Sequence, residues 1–266
     1  MNDEREKVLA AFQDRKVIAR LTVCRDGMLA GMESAVKKAE ELGLTVEKVL
    51  ISGELVRVGE SILIASGTPW QIVQAEDNLI GLISKCSGVA TAAYQARAAA
   101  GNKFTVVSGA WKKMPPEIRT QLREAVKIAG VQPRIASGDL IYLDKNIVRC
   151  LGGVSETLAR FSSISGKIKA IQIRGDFKAI HVEALEAVQG GADILMVDTG
   201  CLDDLKRVSC ALKGLNVREK VKIAFAGEVD MAKLKRLKGY DVDIVDVGKV
   251  IVDAPLLDLK LDVIQR

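Results

Sequence analysis

The sequence predicts an α/β protein in two parts: an N-terminal layer of antiparallel strands and helices, then a C-terminal run of βα units. Three observations carry this. In the second half, short apolar runs recur about every 25 residues, the rhythm of parallel strands joined by helices. In Val46–Gly67, period-two alternation broken by glycine turns marks antiparallel strands. Two complete units fill Val221–Leu259: Val221–Phe225 ends at Ala226-Gly227, Val242–Val247 ends at Gly248, and Met231, Leu234 and Leu237 recur between them at helical spacing.

The elements follow in order. Asp3–Gln13 reads as a short amphipathic helix and Val17–Val23 as an alternating strand, closed by the turn Arg25-Asp26-Gly27. A helix follows and stops at Gly43. After the Val46–Gly67 strands, Thr68–Ala100 returns to helical spacing. Past Gly101-Asn102 come a buried strand, Phe104–Ser108, and a helix with a proline start and a glycine stop at Gly130. Leu140–Leu143 is a short strand, the segment from Gly153 a helix, Lys167–Ile173 a strand, and the segment from Ala179 a helix ending in Gly-Gly. Ile194–Asp198 and a helix through Leu205 and Val208 lead into the last two units. The expected segments are residues 1–101, 102–251 and 252–266, the last alternating so that it can return to the first sheet.

Composition narrows the function classes. With 266 residues, 48% of them hydrophobic, the chain can bury a large core; aromatics are only 4%, so aliphatic packing dominates it. Lys plus Arg number 39 against 34 acidic residues, a net charge of +5 spread along the chain, which suits anionic small substrates. No basic block marks a nucleic-acid arm, and no window approaches a membrane span. The five cysteines form no CxxC pair, and the charged N-terminus lacks the apolar core of a signal peptide; reduced thiols in a cytoplasmic protein are expected.

In a βα barrel, function sits at the C-terminal strand ends. Here those ends carry Ser108–Lys113, Arg134, Asp144 with Lys145, Gln172 with Arg174, Asp198, Ala226-Gly227 and Gly248. Each charge has a plain alternative reading as a solvated rim residue. The glycine turns either make tight turns or let backbone N–H groups cradle a phosphate, and a pair of them in the last two units favours the cradle. Together these ends suggest a polyanionic substrate with Mg²⁺, which uses few protein carboxylates beside phosphate oxygens. The single histidine, His181, lies within a helical stretch, so Ser–His, Cys–His and His-ligated metal mechanisms lose their base or ligand.

The ordered set of motifs resembles the quinolinate phosphoribosyltransferase family. It comprises TVCRDGMLAG from Thr22, GELVRVGESILIASG from Gly53, ISKCSGVAT from Ile83, GADILMVD from Gly191, the two glycine turns, and APLLDLKLDV from Ala254. The resemblance implies an N-terminal α/β sandwich and a C-terminal incomplete, TIM-like α/β barrel. It also implies a homodimer or higher homo-oligomer, in which the sandwich of one subunit lids the barrel of the other. The implied reaction joins a pyridine dicarboxylate to phosphoribosyl pyrophosphate (PRPP), with release of pyrophosphate and CO₂ and with Mg²⁺ assisting.

Carried over by residue, Lys85 takes the place of the arginine that reaches across the dimer. Lys112, Asp144 and Asp198 take the catalytic places, the two aspartates also as Mg²⁺ ligands. Trp111, Lys113, Arg134, Lys145, Gln172 and Arg174 fall on the substrate side, and Ala226, Gly227 and Gly248 on the phosphate side. Trp111, Pro133 and Leu143 stand where the family has Arg, His and Lys, so the cationic box for two ring carboxylates is thinned. Trp111 either stacks on an aromatic ring or packs in the rim. The expectation is a PRPP-dependent transferase acting on quinolinate or another aromatic N-heterocyclic acid. A non-catalytic phosphoribosyl- or nucleotide-binding module and an unrelated phosphate-binding barrel enzyme are the alternatives.

Overall fold

The computed structural model describes residues 3–265. Met1, Asn2 and Arg266, the ends of the first and last expected segments, lie outside the described residues. The chain divides into two compact units. One gathers the residues up to Tyr94, Met114–Gly130 and the segment from Val252; the other gathers Gln95–Lys113 and Val131–Ile251.

In the first unit, α1 (Glu4–Leu9) is capped by Asp3, which accepts from the Arg5 amide. It leads to β1 (Val17–Val23) and β2 (Gly27–Met28), then α2 (Met32–Glu41), β3 (Thr45–Val49), β4 (Leu55–Val56) and β5 (Ser61–Gly67). The long α3 (Pro69–Ala100) follows. The main sheet runs β12-β1-β5-β3, where β12 is the terminal strand Leu259–Gln265; all three pairings are antiparallel. Ile72, Ala75, Leu79 and Ile83 recur at three- and four-residue steps on α3. They form one stripe that packs on Leu21, Leu63 and the buried face of α2.

The second unit begins its sheet with β6 (Thr105–Val107). The helix α4 (Pro116–Ile128) that follows in sequence groups with the first unit. Then come β7 (Leu140–Leu143), α5 (Lys145–Leu151), α6 (Val154–Arg160), β8 (Ile168–Ile173), α7 (Ile180–Gln189), β9 (Ile194–Val197), α8 (Leu202–Gly214), β10 (Lys222–Phe225), α9 (Met231–Arg236), β11 (Ile244–Asp246) and α10 (Lys249–Val252). The strands pair in parallel in the order β6-β11-β10-β9-β8-β7, an incomplete barrel.

Two details depart from the sequence reading. No strand forms before Arg134: Gln132 makes a single parallel bridge to Val107, and Pro133, which has no N–H, ends the ladder. An unforeseen helix, α5, begins directly after β7 because Asp144 caps it, Oδ1 accepting from the amides of Asn146 at 2.9 Å and Ile147 at 3.0 Å.

An ion network closes the N-terminal rim. Arg218 donates to Asp241 and Asp243 at 2.8 Å, and Asp241 also accepts from Ser209 and Lys213. Burial works to raise the Asp241 carboxyl, but the bonds from Arg218, Lys213 and Ser209 prevail and hold it well below the usual carboxylate range.

Candidate active site

Side chains of a strand alternate between faces, so one inward residue fixes the rest. Val107, Ala170, Ile194, Met196, Ala224 and Ile244 form the inner cluster, with Leu140 and Ile168 packed against it. The same parity carried to the C-terminal ends turns four polar residues inward: Tyr142 on β7, Gln172 on β8, Asp198 after β9 and Asp246 on β11.

Gln172, 7% exposed, is the hub. Its Oε1 accepts from the Lys145 amide at 2.7 Å and its Nε2 donates to Asp198 Oδ2. Arg174 Nη1 donates to the same carboxylate oxygen at 2.9 Å and to the Asp198 carbonyl. The amide matters here: it accepts at one end and donates at the other, so one side chain ties the start of α5 to the end of β9. A carboxylate could only accept.

Arg174 is aimed by a residue that sequence reading passed over. Glu183 on α7 is buried, and its Oε2 accepts from the amides of Arg174 at 3.0 Å and Gly175 at 2.7 Å. Its Oε1 accepts from Phe177 and Lys178. One carboxylate thus shapes the whole β8–α7 turn.

Asp246 faces Asp198 across the bowl. Its Oδ1 accepts from the Gly109 amide at 2.8 Å, and a Cβ at Gly109 would meet its Oδ2 at 2.7 Å, so a side chain there would push the carboxylate aside. Burial, reinforced by Asp198, pushes the Asp246 carboxyl up to about 6, against the pull of the Gly109 amide and Lys113. The Tyr142 hydroxyl is also shifted upward, by burial and by Asp198, Asp246 and Asp144. It keeps its proton even though the residue is 38% exposed at the open end. The bowl therefore holds, at Asp246, a carboxyl that titrates near neutrality.

The glycine turns meet as a seam. The Gly200 amide donates to the Ala226 carbonyl at 3.0 Å. Gly227 has φ +105, and a Cβ there would stand 2.8 Å from Gly200 Cα. Lys233 on α9 stitches the turns, its Nζ donating to the carbonyls of Gly200 at 3.2 Å and Gly227 at 3.3 Å. Gly248 sits against Ala110, whose Cβ would be 3.1 Å from an added Cβ.

The other expected residues divide. Lys112 and Lys113 are exposed on a 3₁₀ turn, and Arg134 is exposed in the irregular stretch after Gln132. Of the two readings of Trp111, packing describes its position: the ring is 4% exposed and Nε1 donates to the Pro133 carbonyl at 2.8 Å. Leu143 is fully buried on the outer face, so the inward residue at this strand end is Tyr142. Lys85 belongs to the first unit, where Nζ donates to the carbonyls of Val252 at 2.9 Å and Ala254 at 3.3 Å. Tyr142 and Asp246 were missed because the strand ends were read by position instead of parity, and Lys233 because it reaches the turns from α9, outside any strand end.

For a metal, the donor set is sparse. Among the described residues no three His, Cys, Asp or Glu side chains gather into a shell. Asp144 has spent Oδ1 on its cap, and Asp198 Oδ2 is engaged by Gln172 and Arg174. One oxygen of each carboxylate remains. That fits Mg²⁺ only as the ion is commonly held beside substrate phosphates, through one or two carboxylates and water.

Known proteins match the chain over nearly its whole length. Residues 7–87 match the model of the quinolinate phosphoribosyl transferase N-terminal domain, and residues 89–262 that of its C-terminal domain. A probable nicotinate-nucleotide pyrophosphorylase (carboxylating) of Archaeoglobus fulgidus is 28% identical over 262 residues, covering 97% of this chain and 98% of the relative. One of Methanothermobacter thermautotrophicus is 22% identical over 251 residues, 93% of this chain and 88% of the relative. Among solved structures, NadC from Streptococcus pyogenes superposes with TM-score 0.82 at 21% identity, covering 98% of this chain and 90% of that one. Nicotinate-nucleotide pyrophosphorylase from Pyrococcus furiosus gives 0.81 at 23%, covering 100% and 77%. At these identities the superpositions speak to the fold. No helix among the described residues is long and apolar enough to cross a membrane.

Proposed function

Since the chain belongs to the quinolinate phosphoribosyl transferase family, we propose that it is a type II phosphoribosyltransferase. It joins an aromatic N-heterocyclic acid, nominally quinolinate, to PRPP and releases pyrophosphate and, with quinolinate, CO₂. The observation that carries this is the inward constellation of Gln172, Arg174, Asp198 and Asp246 beside the Gly200–Gly227 seam. In this reading the seam and Gly248 receive the 5′-phosphate. The Asp198 carboxylate, held by Gln172 and Arg174, faces the ribose where positive charge develops as pyrophosphate departs, and it is preorganised for that charge. Lys112, Lys113 and Arg134 at the exposed rim meet the leaving pyrophosphate or the ring acid, and the Lys145 segment is set by Gln172. Asp144 and Asp198 would hold Mg²⁺, which would supply neutralisation of the pyrophosphate charge. Homo-oligomeric assembly and a cytoplasmic location belong to the same proposal.

A second reading concerns the acceptor alone, and Trp111, Pro133 and Leu143 favour it. Each charge-assisted contact to a carboxylate is worth about 1.5–3 kcal/mol. Two missing contacts would weaken quinolinate binding by roughly two to four decades. The test is pyrophosphate release from PRPP and Mg²⁺ across a panel of pyridine, pyrimidine and azole acids. Release with any of them supports the transferase; none with all of them refutes it. A kcat/KM for quinolinate of about 10⁴ M⁻¹s⁻¹ or above would show that Lys113 or Lys145 has rebuilt the cationic box.

A further inference from the structure

Beside the bowl, and sharing Arg174 with it, the second unit holds a cavity of about 480 Å³ between α7 and α8. Its wall is made by Arg174, Gly175, Ala179, Ile180, His181, Asp204 and Arg207. The charge is unbalanced: two guanidiniums against one carboxylate, with the His181 ring beside them. Arg207 is 69% exposed on its side chain and only 3.9 Å from Asp204, a loose pairing that leaves it available. Arg174 is under-used on this side. Nη1 is committed to Asp198, while its Nε is shielded from solvent and has no hydrogen-bond partner. A buried donor left without an acceptor is costly, and an acceptor arriving in the cavity would offset that cost after a small turn of the guanidinium.

We infer that this cavity is a second anion site, beside the bowl and sharing Arg174 with it, taking a small phosphate-bearing molecule. Arg207 and Arg174 bind the phosphate from two sides and His181 stands at its edge. The volume exceeds what a bare phosphate needs and suits a phosphate monoester with an organic group of modest size. The inference does not depend on which acceptor the bowl takes, or on turnover at all.

His181 is the only histidine in the chain, so its ring proton is a unique NMR reporter of this cavity. The full-length protein is titrated with inorganic phosphate at constant ionic strength, with chloride as the control. The expected result is a saturable His181 shift with phosphate and none with chloride. In Arg207→Ala, an exposed position whose loss leaves the core untouched, the apparent affinity falls about tenfold or more. Glucose 6-phosphate and AMP, as monoester probes, shift the same signal at lower concentration than phosphate. A His181 signal that follows chloride equally, or a phosphate response unchanged in Arg207→Ala, overturns the proposal. Pyrophosphate release is measured on its own, and neither of these results decides it, so the two readings fail separately.

Discussion

Replacing Asp246 by asparagine should make the protein more stable and less active. The carboxyl lies inside the barrel and is pushed from 3.8 up to about 6. A carboxyl raised by folding is penalised when ionised. Its cost is absent below about pH 4, grows as the pH rises through 6, and is constant above that. The span corresponds to about 3 kcal/mol. Asparagine keeps the acceptor for the Gly109 amide, bonded at 2.8 Å, and carries no charge. Asp246→Asn should therefore match the parent near pH 4 and exceed it by up to about 3 kcal/mol at pH 7.5. Trp111 is buried in the same unit, so its fluorescence in a Trp70→Phe background reports urea unfolding of the barrel. Pyrophosphate release measured alongside should fall, since the proposed site loses the second carboxyl that stands across from Asp198. A variant less stable than its parent at pH 7.5, or with the parent's pH dependence intact, would refute the electrostatic account.

Three further outcomes follow from the geometry. Gln172→Glu keeps the acceptor for the Lys145 amide but sets a carboxylate against Asp198. It should cost about 1–3 kcal/mol at pH 7.5 and less at pH 5, and an equal loss at both would count against the hub. Arg218→Met leaves Asp241 and Asp243 without their shared partner, and urea unfolding should show a loss of about 3–5 kcal/mol; under 1 kcal/mol would mean the network is only a solvated rim. Gly227→Ala meets both a positive φ and the Gly200 backbone, so isothermal titration should show PRPP binding weakened at least tenfold. Undiminished PRPP affinity would remove the cradle from the proposed site.

The fold class was legible because period decided it. Alternation in Val17–Val23 and in the Val46–Gly67 stretch became β1, β3, β4 and β5, and the recurring apolar runs became the parallel sheet. What escaped was local or long-range. The helix α5 depends on a single capping aspartate, and the interrupted strand before Arg134 on a single proline. Asp198, Gln172 and Arg174 were named from strand ends and do converge. Asp246 and Tyr142 required knowing which parity faces inward. Glu183 serves a turn that lies 5–9 residues before it in sequence, a span that no short motif encodes. Lys85 and Trp111, also named by position, each donate to carbonyls of their own chain, contacts that the sequence pattern does not announce.

The seam between Gly200 and Gly227 divides the chain's capacity for change unevenly. Backbone touches backbone there, and Lys233 is tied to both carbonyls. A side chain introduced at either glycine collides with the other strand's turn, so single-step variation at this end is closed. Lys112, Lys113 and Arg134, by contrast, are exposed side chains on a 3₁₀ turn and on the irregular stretch after Gln132. On the proposed assignment, a lineage carrying this architecture is free to explore new ring acids at that rim one substitution at a time, while the seam proposed for the sugar phosphate stays fixed. Directed evolution toward altered acceptors should accordingly collect its changes along that rim and leave the seam untouched.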